Sequence, residues 1–134
     1  MDAIHMATQA YRDMVGHCIK EKPLEACGLL SGRDGIAARC WRIRNAEQSP
    51  VAFAMDGEEL TRALSDMESL GEQLLGIYHS HPSGSPYPSP FDVEYAVFTC
   101  SYLIISLRRM RPRVRSFRIA AGTIREEQIL LISR

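Results

Sequence analysis

A mixed, mostly antiparallel sheet flanked by two longer helices, with a short third helix, is the α/β architecture this sequence predicts. The reasons are two apolar stripes at helical spacing, several short apolar runs bounded by glycine-containing turns, and one Pro/Ser/Gly segment that suits neither element. With 134 residues the chain is long enough to bury one sizeable core, and it is expected to form a single domain, 1–134.

Ile4, Ala7, Tyr11, Met14 and Cys18 recur at spacings of three and four, predicting a first amphipathic helix that ends near Pro23. Residues 26–31 and 36–44 flank Ser31-Gly32-Arg33-Asp34-Gly35, a turn composition that predicts a hairpin. A short strand is expected over 52–55. Asp56 then stands where a second helix needs its cap, ahead of the stripe Leu60, Ala63, Leu64, Met67 and Leu70, with Gly71 as the stop. Residues 74–78 form a short apolar run, read as a buried strand that delivers the chain into His79. From 83 to 90 the composition allows only a loop. A short helix over 90–98 follows, then strands over 102–107, 114–121 and 124–132, the last two joined at Gly122-Thr123.

Sixteen basic and sixteen acidic residues cancel, so the overall field argues for neither nucleic acid nor membrane as a partner. No apolar run is long enough to span a bilayer, and the first residues lack the basic and apolar regions of a signal peptide, so a cytoplasmic location is expected. Cys18, Cys27, Cys40 and Cys100 are scattered without Cys-x-x-Cys spacing, which predicts reduced, mostly buried thiols.

The strongest chemical signal is His79-Ser80-His81-Pro82, with Ser89 and Asp92 following. Imidazoles at i and i+2 of an extended segment project to one side, with alpha carbons roughly 6.5 Å apart, and Pro82 favours extended angles before it. Asp92 brings a carboxylate from the start of the next helix. Two histidines and one aspartate can hold a metal ion and leave a fourth position open, the mark of a catalytic rather than a structural zinc site.

The spacing His-x-His-Pro, six residues, Ser-x-x-Asp, together with Glu25-Ala26-Cys27-Gly28-Leu29-Leu30 upstream, resembles the JAMM/MPN-plus zinc metalloproteases, and in its compactness their prokaryotic branch. The resemblance spans nearly the whole chain and implies a cytidine-deaminase-like JAMM/MPN fold. It implies that His79, His81 and Asp92 hold one Zn2+, that Glu25 is the general base on the attacking water, and that Ser89 helps stabilise the oxyanion. It further implies a zinc-dependent peptidase or isopeptidase acting after the C-terminal Gly-Gly of a ubiquitin-like sulfur-carrier protein. Two other expectations stand beside it: a RadC-like JAMM protein linked to DNA repair, suggested by His81-Pro82-Ser83-Gly84, and a non-catalytic MPN scaffold that only binds partners.

Plainer roles compete at several of these residues. Ser89, Pro90 and Asp92 would make a good helix start without any metal. His5 and His17 are read as ordinary surface or core residues, and Cys27 as core packing rather than a nucleophile. Tyr87 either covers the site or lines a groove for the substrate tail. Arg108, Arg109, Arg111, Arg113, Arg115 and Arg118 crowd into eleven residues, either as a solvated edge or as a patch that docks an acidic carrier protein.

Overall fold

The computed structural model describes residues 2–133. Its elements are β1 (Ala3–Ala7), α1 (Thr8–Glu21), β2 (Cys27–Gly32), β3 (Ile36–Ala37), β4 (Arg39–Ile43), α2 (Gly57–Ser69), β5 (Gln73–His81), α3 (Pro90–Glu94), β6 (Ser101–Ser106), β7 (Arg113–Ala120) and β8 (Thr123–Ile132). The strands lie in the order β3-β1-β8-β7-β6-β5-β2-β4. β1 runs parallel to β3 and β8, and β5 parallel to β6, while the remaining pairs are antiparallel. The predicted mixed, mostly antiparallel α/β architecture is therefore what the chain adopts. No helix among the described residues is long and apolar enough to cross a membrane.

Each face of the sheet buries one helix. Ala10, Met14 and Cys18 of α1 pack with Ile4, Met6, Leu30, Tyr78, Leu103 and Ile105, and Ala63 and Met67 of α2 pack with Leu29, Ile77, Ile104 and Phe117 on the opposite side. Asp56 caps α2 as expected, its carboxylate accepting the Glu59 N–H at 3.0 Å. The two clusters meet at β5, where a bulge decides which side chain faces which helix. Leu30 pairs with Gly76 but Ser31 with Leu74, so Leu75 is the extra residue; Leu75 and Tyr78 face α1, while Leu74 and Ile77 face α2.

Five predicted elements need correction. Helix α1 begins at Thr8, not Ile4, because residues 3–7 form a strand held on both edges by β8 and β3. The helical spacing of Ile4 and Ala7 is outweighed by long-range pairing, with Ile4 and Met6 buried at period two. The hairpin is interrupted, since the second arm splits: residues 36–37 join β1, and only β4 returns to β2. Residues 52–55 form no strand beyond a single bridge between Asn45 and Met55. Their backbone is held instead by the Asn45 side chain, which accepts the Ala54 N–H and donates to the Ala52 carbonyl, each at 3.0 Å. Helix α3 stops at Glu94 rather than Phe98, because the Tyr102 hydroxyl engages both the N–H and the carbonyl of Phe98 at 2.8 and 2.9 Å. Finally, β5 is longer than 74–78, and both site histidines lie within it.

Candidate active site

His79 and His81 end β5 on the α2 face, two residues apart and so on one side of the strand. Beyond them the chain makes the 82–88 loop and enters α3 through a capping box: Ser89 Oγ accepts the Asp92 N–H at 3.1 Å, and Asp92 Oδ2 accepts the Ser89 N–H at 2.9 Å. The cap turns the aspartate back toward the strand. His79 Nε2, His81 Nε2 and Asp92 Oδ2 form a triangle with edges of 3.1, 3.2 and 3.2 Å. Donors held about 2.0–2.1 Å from a tetrahedral ion lie about 3.3–3.4 Å apart, so the donor set and its spacing fit a zinc-sized cation. The second ring nitrogen of His81 supports this: Nδ1 lies 2.8 Å from the Ser85 carbonyl, which can only accept, so Nδ1 carries the proton and Nε2 offers its lone pair.

Burial and neighbours set the charges. Burial pushes the His79 pKa down, so its ring favours the neutral form that a metal needs. At His81 burial acts downward too, but the bond to Asp92 and the Ser85 carbonyl outweigh it and raise the pKa. Burial would raise the Asp92 carboxyl, yet the two imidazoles and the Ser89 N–H hold it well below the usual carboxylate range.

Glu25 reaches this site only through the register of β2 against β5. Cys27 pairs with His79, and the Ser80 N–H to Ala26 carbonyl bond at 3.0 Å continues the ladder, which puts Glu25 opposite His81 on the α2 face. The Ser80 hydroxyl holds the same junction by accepting the Ala26 N–H at 2.9 Å. The Glu25 backbone is fixed as well, its carbonyl accepting from Asn45 Nδ2 and its N–H donating to the Ser49 carbonyl. Its carboxyl makes no side-chain hydrogen bond or ion pair among the described residues, and burial pushes its pKa up to about 7, with Asp92 adding to the rise and His81 opposing it. A carboxyl poised there can take and return a proton near neutral pH.

A groove of about 440 Å³ opens beside His79 and Asp92, walled by Phe53, Met55, Leu60, Phe91, Tyr95 and Phe98, with Glu47 also in its lining. Phe53 stacks on the His79 ring, centroids 4.5 Å apart and planes inclined by 25°. Phe53 and Asn45 are the residues that sequence reading passed over, since neither belongs to a metal-binding pattern. The strand expected over 52–55 includes Phe53 but not Asn45. Tyr87 does not line this groove; it packs edge-on against Phe117 on β7.

The plainer readings are also located. His5 is exposed, and His17 is buried against the Tyr78 hydroxyl at 2.6 Å on the α1 face. Cys27 lies in the core with its thiol pushed up to about 12 by burial, which leaves it unreactive. All four cysteines are free, with Cys40 half-buried and the others buried.

Comparison with known proteins places the chain in a family. Residues 7–120 match the family model for prokaryotic homologs of the JAB domain. The chain is 35% identical over 125 residues to the CysO-cysteine peptidase of Mycobacterium tuberculosis, covering 90% of this chain and 86% of that one. It is 38% identical over 96 residues to a probable TtuB-protein conjugate cleaving protease of Thermus thermophilus, 71% of this chain and 64% of the other. The solution structure of protein DSY2949 from Desulfitobacterium hafniense superposes with a TM-score of 0.87 at 35% identity, over 99% of this chain and 94% of that one. The strand order, the β5 histidines facing the α3 aspartate, and the match over most of the length lead to one assignment: the chain belongs to the prokaryotic JAB family.

Proposed function

We propose that this protein is a zinc-dependent peptidase or isopeptidase that cleaves after the C-terminal Gly-Gly of a ubiquitin-like sulfur-carrier protein. The observation that carries the reading is the triangle of His79, His81 and Asp92 on the face where Glu25 is buried with no side-chain partner among the described residues. The relatives' names support the substrate class, since they refer to a CysO-cysteine peptidase and to cleavage of TtuB conjugates. His79, His81 and Asp92 would hold the ion. Zinc when bound supplies a Lewis acid for the scissile carbonyl and lowers the pKa of its water to about 7. Glu25 acts as general base on that water and then returns the proton to the leaving amine. Ser89 Oγ already accepts from the Asp92 N–H, so its own hydrogen is free to donate to the developing oxyanion. The groove past Phe53 gives an extended tail an apolar wall.

The test is intact mass of a ubiquitin-like carrier, extended by one residue beyond Gly-Gly, after incubation with zinc-loaded protein. Loss of that residue with wild type, but not with Glu25→Gln holding equal zinc, is the expected outcome. Asp92→Ala should lower zinc per chain. Full occupancy in that variant would break the ligand set, and an unchanged carrier despite full zinc loading would turn weight to the scaffold or RadC-like alternatives.

A further inference from the structure

Four of the six clustered arginines have no use in the site as described. Arg115 and Arg118 are engaged across the β7–β8 ribbon with Glu126 and Glu127. Arg108, Arg109, Arg111 and Arg113 are exposed and form no salt bridge among the described residues, and Met110 between them is fully exposed. Arg113 is close enough to influence Glu126, but Arg115 already holds that carboxylate.

Their place in the fold gives the cluster meaning. The β6–β7 turn leaves the sheet at the same end as the metal ligands, because β6 runs parallel to β5 with Ser106 level with His81. The Leu107 N–H donates to the His81 carbonyl at 3.1 Å. Ser106 Oγ donates to the Gly84 carbonyl at 2.6 Å and accepts the Arg108 N–H at 3.4 Å. The arginine turn, the 82–88 loop and the His81 strand end are thus joined by hydrogen bonds, and the 82–88 loop contains no acidic residue to neutralise the turn. A protein whose C-terminal tail reaches the metal ligands has to rest its folded body on the rim around them. On this side the rim carries four uncompensated positive charges.

We infer that the turn carrying Arg108, Arg109, Arg111 and Arg113 is the docking surface for an acidic face on the body of the carrier protein, separate from the groove that takes its tail. The inference rests on the carrier reading above. Nucleic acid fits less well: the free charges occupy one short turn, whereas tracking a phosphate backbone needs a longer basic surface, and the chain as a whole is neutral. Charges at an interface rim act chiefly on capture and its salt dependence.

The experiment compares two substrates of zinc-loaded protein: an acidic ubiquitin-fold carrier extended by one residue beyond Gly-Gly, and a ten-residue peptide of the same C-terminal sequence. With R108E/R109E/R111E/R113E, KM for the carrier at low salt should rise at least tenfold and lose its salt dependence, with kcat unchanged. Cleavage of the peptide should be the same as wild type. Reversing Arg12 and Lys20 on α1 and Lys22 just after it controls for most of the change in net charge and should change cleavage of neither substrate. An unchanged carrier KM overturns the inference while leaving the peptidase reading intact. An equal loss on the peptide also overturns it, by showing that the turn acts on the site itself. So does an unchanged carrier KM accompanied by loss of wild-type duplex DNA binding, which would make the patch a polyanion surface. Wild type that cleaves neither substrate sinks the parent reading and the docking surface together.

Discussion

Two buried glutamates lie at distant points of the same sheet, and their surroundings differ in every respect except depth. Glu25, before β2, is 5% exposed, and Glu127, on β8, is 6% exposed. Glu127 is fully provided for: Ser116 Oγ donates to it at 2.7 Å, and Arg118 across the ribbon at 3.3 Å. Among the described residues the Glu25 carboxyl receives no hydrogen bond or ion pair, and it lies within the influence of the His81 imidazole and the Asp92 carboxylate instead. A structural carboxylate is buried with its counter-charge. A carboxyl that is to handle protons is buried without one and raised toward neutrality. The pair of sites thus separates burial, which the two share, from unmet chemistry, which only one has.

The largest expected effect comes from neutralising each glutamate in turn. Glu25→Gln should remove the base and lower kcat by roughly 10²–10⁴-fold while zinc per chain stays unchanged. Glu127→Gln should leave kcat unaltered. Steady-state rates together with metal analysis decide it, and equal losses in the two variants would erase the distinction.

The same comparison shows where sequence reading ends. His79, His81, Ser89 and Asp92 lie within fourteen residues and are legible because an extended pair before proline and a capped helix start are local matters. The β7–β8 ribbon is equally local, two runs around a two-residue turn. Glu25 was found by resemblance alone, since its position follows from the register of β2 on β5, and nothing in its neighbourhood marks it apart from Glu127. The misread start of α1 has the same cause, because β1 exists through its pairing with β8 at the far end of the chain. The bulge at Leu75 and the fold of 46–55 around Asn45 depend on partners that composition does not name.

A second expected effect concerns stability and pH in protein stripped of zinc by chelator. The folded-state pKa of Glu25 lies near 7 against an ordinary 4.5, so between those values the native state binds the proton more tightly than the unfolded chain. The neutral carboxyl therefore supports the fold fully below pH 4.5, and that support is lost as pH rises through 7. Glutamine has no such loss. Metal-free Glu25→Gln should accordingly melt close to wild type at pH 5 and well above it at pH 8, by on the order of 3 kcal/mol. Parallel pH profiles for Glu25→Gln and wild type would mean that Glu25 is not held near neutrality.

The smallest effect tests the other half of the contrast, whether Glu127 depends on its partner. Arg118→Met keeps much of the aliphatic stem but withdraws the guanidinium, leaving a buried carboxylate with only Ser116 as donor. Arg118 is itself partly exposed, so solvent screens the pair, and the cost should be about 1–2 kcal/mol, below that of breaking a fully buried ion pair. Adding Glu127→Gln to Arg118→Met should recover most of that loss, because the amide no longer needs a counter-charge and can still bond Ser116. Denaturant unfolding of the two single variants and the double variant measures the coupling directly. If the double variant were as unstable as the sum of the singles, Glu127 would be held by packing rather than by charge. Its contrast with Glu25 would then be one of surroundings only, with no energetic difference behind it.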